Sequence, residues 1–351
     1  MKPIYLFSVL SVLLFTACID QIDFDRDSNI QDLPLIVRGK VTHGNGPYYL
    51  RIGRFSGKEE IPVENAEVYL LNGNGEREAY LSLGEGLYEN PGEIIKGETG
   101  ETYQVEIVLA TQRYISRPEV MPAPAKVDDF SLELVDKERV VNGGVLVQKF
   151  MDVKINTTLP DVKNGPYVRW ITEEAWKLTE TQSPNPLARP KSCYFTQNVD
   201  PQSIRLFNGK EVLTRKLENY TLLSRIVDWS FEERHVFTIY QSTITEEAYD
   251  YWRDVNLVIN QNGSIFDSPP SALPGNIYNT SDSLEVVLGY FEAAAIDTAR
   301  FPVFKTDLAP FRVPERCFTL WTDYPFGARI PRECYNCLLI DGASLVRPDG
   351  F

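Results

Sequence analysis

The chain has 351 residues and carries 35 Lys plus Arg against 49 Asp plus Glu, a formal net charge of −14. That acid excess argues against a nucleic-acid partner, because no surplus of cations is available to displace the counterions of a phosphate backbone. With 43% hydrophobic and 12% aromatic residues, 22 Gly and 23 Pro, it is neither a disordered tail nor a low-complexity polymer, and its length suits two ordinary domains or one large β-rich one.

Residues 1–17, MKPIYLFSVLSVLLFTA, place one cation, Lys2, ahead of an apolar run from Ile4 to Phe15. This is the anatomy of a secretory signal peptide. The run of about 12 residues falls short of the roughly 20 that span a bilayer as a helix. It ends Leu14-Phe15-Thr16-Ala17-Cys18, which resembles the lipobox of bacterial lipoproteins, with Phe15 where Leu is usual. The resemblance implies that Cys18 becomes the first mature residue and carries the acyl chains that hold the protein at a membrane. The acidic stretch from Ile19 to Asp27 resembles the export signal that sends Bacteroidota lipoproteins to the outer face of the outer membrane. Residues 18–32 read as a tether that reaches roughly 50 Å when fully extended.

From Leu35 the apolar period is two. Leu35, Val37 and Val41 predict one strand face; Tyr48, Leu50 and Ile52 predict a second after the turn at Gly44-Asn45-Gly46-Pro47; Ala66, Val68 and Leu70 predict a third. Asn72-Gly73-Asn74-Gly75 is a hairpin turn, and further strands are expected over Arg77–Leu83, Tyr103–Leu109 and Arg113–Ser116. Six or seven short strands without a helical pattern predict a β-sandwich over residues 33–117. The order Val63-x-x-Ala66-x-Val68, Gly86-x-Tyr88 and Gly100-x-x-Tyr103-x-Val105 resembles the carboxypeptidase-regulatory, transthyretin-like sandwich, an Ig-like adapter without catalytic groups.

Pro118, Pro122 and Pro124 stiffen a linker over 118–125, and residues 126–351 predict a larger β-rich module. Val145, Val147, Met151, Val153 and Ile155 share one parity, and Tyr167–Trp176 and Val236–Ser242 are further strands. One helix is expected near 244–262. Thr243-x-x-Glu246 gives it a capping box, Ala248, Trp252, Val255 and Ile259 form its apolar stripe, and Gly263 stands at its end. The expected fold class is therefore mainly β with one prominent helix. The turn-rich segment from Phe266 to Tyr278, which includes Asp267 and Asn276, is long for a connector and is a candidate binding loop.

Several motifs together resemble a known family. They are Leu35-Ile36-Val37-Arg38-Gly39, Gly46-Pro47-Tyr48, Thr245-Glu246-Glu247-Ala248-Tyr249-x-x-Trp252, Pro274-Gly275-Asn276-Ile277-Tyr278-Asn279, Gly289-Tyr290-Phe291 and a closing Cys334-x-x-Cys337. The chain is similar over nearly its whole mature length to the Bacteroidota lipoproteins catalogued as domain of unknown function 4249. The resemblance implies genes that often neighbour those of outer-membrane TonB-dependent transporters, and it brings no catalytic residues with it.

The chemistry candidates are few. Besides Cys18 the cysteines are Cys193, Cys317, Cys334 and Cys337, which in a secreted chain suggest two disulfides with three possible pairings. The preferred one joins Cys193 to one member of the Cys334-x-x-Cys337 pair and Cys317 to the other. A redox pair or half of a zinc site is the alternative, but the first wants a strand-to-helix context and the second four close ligands. His43 and His235 are the only histidines and no Gly-x-Ser-x-Gly elbow is present, which leaves little for a serine triad. His43 sits beside a turn, and His235 reads as a surface or cap residue at a strand entrance. Glu173 and Glu174 point to opposite faces of a strand, so they cannot pair as glycosidase carboxylates. A calcium loop near Asn279-x-Ser281-Asp282 is the weaker metal candidate; no cofactor or metal is expected. These readings predict a lipid-anchored outer-membrane protein that faces the cell exterior and serves as a non-enzymatic binding or docking subunit of a TonB-dependent β-barrel transporter. The alternative is a secreted surface hydrolase with a carboxylate site that linear spacing does not show.

Overall fold

The computed structural model describes residue 30 and residues 33–351, apart from 58, 163–164, 186, 200–203, 212–214 and 261–272. Cys18, the segment before it, the tether apart from Ile30, Gly263, Phe266 and Asp267 therefore lie outside the described residues. The first part of the chain forms β1 (Leu35–Thr42), β2 (Tyr48–Phe55), β3 (Glu60–Pro62), β4 (Glu67–Asn72), β5 (Arg77–Ala79), β6 (Leu81–Gly84), β7 (Leu87–Asn90), β8 (Thr102–Leu109), β9 (Gln112–Ser116) and β10 (Glu119–Val120). The rest forms β11 (Lys126–Val141), β12 (Gly144–Thr158), β13 (Tyr167–Thr179), β14 (Ser192–Asn198), β15 (Arg205–Asn208), β16 (Lys216–Ile226), β17 (Arg234–Ile244), α1 (Glu246–Asn260), β18 (Ile277–Asn279) and β19 (Leu288–Phe304). The protein is mainly β, with one α-helix among the described residues. No helix among them is long and apolar enough to cross a membrane.

A ten-stranded sheet has the order β14-β13-β17-β19-β1-β2-β7-β6, with β15 and β3 attached at β13 and β2. A six-stranded sheet, β18-β9-β8-β4-β5 with β10 on β8, shares a core with its β1–β2–β7 end. The alternating residues Leu35, Val37, Ile52, Val68, Leu70, Tyr103 and Val105 fill that core, as a period of two requires when one face is buried. The strand expected over Arg77–Leu83 is broken at buried Tyr80: β5 pairs with β4 in one sheet and β6 with β7 in the other.

β19 joins the two halves of the chain. Its residues Leu288–Ala294 pair with β1 in parallel, and Ala295–Phe304 pair with β17 in antiparallel. One sheet thus runs through both the 33–117 and the 126–351 segments. Ala293, Ala294 and Ala295 are fully buried, and small side chains suit a strand covered on both faces. A three-stranded sheet, β11-β12-β16, lies over the β13–β17–β19 end. Met151, Val153, Ile155, Phe237 and Phe301 fill the second core, and Phe130 stacks on Phe301 at 3.8 Å.

The helix begins two residues later than its sequence signal. Thr245, not Thr243, caps it, its Oγ1 accepting the N–H of Ala248 at 3.1 Å. Thr243 belongs to β17, and its hydroxyl instead accepts the N–H of Ala125. Sequence spacing favoured Thr243 because a Glu lies three residues on; the ladder between β17 and β13, which runs through Ile244, claims that residue first.

Candidate functional site

Where β10, the start of α1, the Leu273–Asn276 segment and β19 converge, they enclose a cleft of about 670 Å³. Glu119 lies on its floor, only 3% exposed. Tyr290 Oη donates to Glu119 Oε1 at 2.5 Å, Asn276 Nδ2 to the same oxygen at 3.1 Å, and Thr245 Oγ1 to Oε2 at 2.7 Å. Burial pushes the Glu119 carboxyl up to about 7, even though these three donors pull it back down. Burial and the neighbouring Glu119 likewise push the Tyr290 hydroxyl well up. Tyr251 stacks on Tyr290 at 4.7 Å, and Arg117, Glu247 and Asp254 complete the polar wall.

The motif residues explain how the cleft is closed. Asn276 acts as a side-chain clamp on β19: its Nδ2 donates to the Phe291 carbonyl at 2.7 Å, and its Oδ1 accepts the Phe291 N–H at 2.9 Å. Gly275 donates its N–H to the Val287 carbonyl, and any Cβ there would overlap the carbonyl oxygen of Gly289. Gly289 has φ +85° and pairs with Val37, an arrangement only glycine adopts without strain. Pro274-Gly275-Asn276 and Gly289-Tyr290-Phe291 are thus two halves of one contact.

Of the expected binding loop, the structure brings Asn276 to the cleft, while Tyr278 sits in β18 opposite Ile115, 45% exposed and away from the lining. Glu119 carries no sequence signal as a site residue, because Pro118-Glu119-Val120 reads as a linker and a two-residue strand has no period; Tyr290 stands out only as part of the Gly289-Tyr290-Phe291 motif. Asn279 Oδ1 accepts the N–H groups of Ser281 and Asp282, so it caps a turn where a calcium ligand was considered. Among the described residues no three His, Cys, Asp or Glu side chains converge to hold a metal ion.

His235 is fully buried, which corrects its placement at the surface. Its ring stacks on Phe231 at 3.9 Å and on Trp176 at 6.1 Å, because β17 is a central strand at this point and both its faces are covered. His235 Nε2 comes within 3.2 Å of Glu174 Oε2, outside hydrogen-bond alignment. Arg225 Nε donates to both Glu174 oxygens at 3.0 and 2.9 Å, and Gln197 Nε2 donates at 2.6 Å. Burial pushes the Glu174 carboxyl up, but the contacts of His235, Arg225 and Gln197 outweigh it and hold it below the usual carboxylate range.

A second buried pair joins β13 to β19: Arg169 forks onto Glu292 at 2.7 and 2.9 Å, and Trp252 Nε1 donates to Glu292 at 2.7 Å. Arg169 and Arg225 both line an apolar cleft of about 430 Å³ beneath α1, with Trp170, Leu222 and Val255. Both guanidinium groups are neutralised by the carboxylates beside them.

The cysteines pair as Cys193–Cys337 and Cys317–Cys334. Each member of the Cys334-x-x-Cys337 motif is joined to a distant cysteine, so the motif is not a redox pair. With Trp176, Leu178 and Phe195 the four half-cystines form a separate small core that staples the chain after β19 to β13 and β14.

The family model described as Domain of unknown function (DUF4249) matches residues 19–300. Among solved structures, the chain is similar to the crystal structure of a DUF4785 family protein from Legionella pneumophila, at 10% identity over 59% of this chain and 52% of that one, with a TM-score of 0.17. The match spans about half of that protein's length, and at so low a TM-score it carries no argument. No curated protein matches the chain.

Proposed function

This chain belongs to the DUF4249 family, and on that footing we propose that it is a lipid-anchored outer-membrane accessory, a non-enzymatic binding or docking subunit of a TonB-dependent transporter that faces the cell exterior. The observation that carries a binding role is the state of Glu119: both its oxygens are taken by Tyr290, Asn276 and Thr245. A general base must reach the proton it removes, whereas a carboxyl held by three donors gives the cleft a fixed floor. The lipobox-like sequence ending at Cys18 supports the anchor, since acyl chains hold a protein at a membrane surface. Two disulfides suit an oxidising compartment outside the cytoplasm.

Purification of the tagged protein from its native membrane in mild detergent tests this. A stoichiometric β-barrel transporter in the eluate is the expected result. A monomer without partner, and turnover of a peptide or glycan panel that a single carboxylate substitution abolishes, would overturn it in favour of a surface hydrolase.

A further inference from the structure

The β11–β12 ribbon is longer than the core beneath it. Its lower half pairs with β16 and packs Met151, Val153 and Ile155, with Leu134, Leu132 and Phe130 opposite them, into the second core. Pairing with β16 ends at Phe150 and Ile226, and the ribbon continues alone to the Asn142-Gly143 turn. The core-facing parity continues too. Beyond the Lys149–Asp136 ion pair it carries the cross-strand pairs Val147–Glu138 and Val145–Val140, with Val147, Val145 and Val140 exposed by 58%, 66% and 78%.

The backbone beside these valines is also open. On the β16 side, the Lys149 carbonyl accepts the N–H of Val227 at 2.9 Å. By the two-residue period Val147 and Val145 point their N–H and C=O groups the same way, where no described strand lies. The two edges of the ribbon are guarded unequally. Opposite this segment β11 bears Lys137, Glu138 and Arg139, whereas Gly144-Val145-Leu146-Val147-Gln148 bears no charge. Charges on an edge block unwanted strand pairing; an uncharged, β-branched edge invites it.

We propose that the Gly144–Gln148 edge receives an extended strand of a partner protein, laid in the lane that β16 leaves empty, with apolar side chains against Val140, Val145 and Val147. A bilayer does not fit this surface, because open N–H and C=O groups are costly in hydrocarbon. A second copy fits less well than a different protein, since each copy carries a formal charge of −14 and like-charged bodies repel. Main-chain hydrogen bonds supply affinity in such strand addition, and alternate side chains supply selectivity. Only the partner's identity rests on the transporter role proposed above. Peptide binding tests the edge and co-purification tests the role, so either can fail alone.

The probe is an eight-residue peptide of alternating valine and N-methylalanine with terminal serines, which has one hydrogen-bonding edge and cannot stack on itself. Adding it to the full chain is expected to slow amide exchange at Val145 and Val147 at least tenfold, while Leu146, whose N–H faces β11, changes less than twofold. Val145→Lys with Val147→Lys, which leaves the backbone intact, is expected to abolish the slowing without moving the melting midpoint. Unchanged exchange at Val145 and Val147 with millimolar peptide overturns the proposal. So does a peptide-free dimer in which these amides are already protected, which would make the occupant a second copy.

Discussion

The Tyr290 hydroxyl donates to Glu119 Oε1 at 2.5 Å across 171 positions of chain, which ties the two-residue strand β10 to the central strand β19. Because burial raises the Glu119 carboxyl from about 4.5 to about 7, the fold favours its protonated form. The stability this brings is complete below about pH 4.5 and is lost as pH rises through 7. The wild type is expected to lose on the order of 2–3 kcal/mol between pH 5 and 8, and Glu119→Gln to remove most of that slope. Denaturant midpoints across this range measure it; equal slopes in the two proteins would show that Glu119 is not the group responsible.

Glu174 has the opposite sign. Its carboxyl is held low by His235, Arg225 and Gln197 against the cost of burial, so its contribution is present above the ordinary carboxylate range and is lost as pH falls through its folded value. Glu174→Gln is expected to be less stable than wild type at pH 7 and to show a shallower loss on acidification below pH 5. Thermal melts from pH 3 to 7 test this, and a wild-type acid slope retained in the variant would contradict it.

Arg169 and Glu292 are both buried, and removing one partner leaves an uncompensated charge. Glu292→Ala is expected to cost about 3–5 kcal/mol, with little dependence on salt because the pair is shielded from solvent. Trp252, which loses its hydrogen-bond acceptor, should show a shifted emission in the same variant. By contrast, Asp250→Ala, which breaks the exposed pair with Arg253, is expected to change stability by less than about 1 kcal/mol. Similar losses in both variants would contradict this assignment.

The two disulfides close sequence separations of 144 and 17 residues. Chain-entropy arguments give about 5 and about 3 kcal/mol for loops of this size, as upper values. Replacing Cys193 and Cys337 together by Ser is expected to lower the melting midpoint more than replacing Cys317 and Cys334 together. Calorimetry of the two double variants decides, and the reverse order would mean that native-state packing around Trp176 outweighs loop closure.

The proposed anchor has a direct test in Cys18→Ala. Acyl chains at Cys18 should hold the wild type in the membrane fraction, and the variant should partition to the soluble fraction. A variant that stays with the membrane would remove the lipid anchor from the proposal.

The alternation Leu35, Val37, Val41 and Tyr48, Leu50, Ile52 was enough to predict buried strand faces, and the stripe around Ala248 and Trp252 enough to predict α1. Two disulfides among Cys193, Cys317, Cys334 and Cys337 follow from cysteine number and compartment, but which member of the Cys334-x-x-Cys337 pair joins Cys193 is decided by the fold. The strand and helix signals are local, carried by residues a few positions apart. The cleft was not legible in the same way. Glu119 looked like part of a proline-stiffened linker, and its partners Thr245, Asn276 and Tyr290 lie 126, 157 and 171 positions away.

Periodicity by itself determined which side chains share a face of a strand, but not what lies against that face. Val145 and Val147 have the parity of buried Met151, Val153 and Ile155, yet they are exposed because the sheet under them ends first. His235 is buried because β17 lies in the middle of a sheet, and β5 and β6 belong to different sheets because the chain changes layers at Tyr80. The union of β1 with β19 depends on a parallel contact between segments some 250 residues apart. Local steric and hydrophobic preferences act within a few residues and are written in the sequence; strand neighbours, sheet edges and the burial of a charge follow from which distant surfaces meet, and only the tertiary structure decides that.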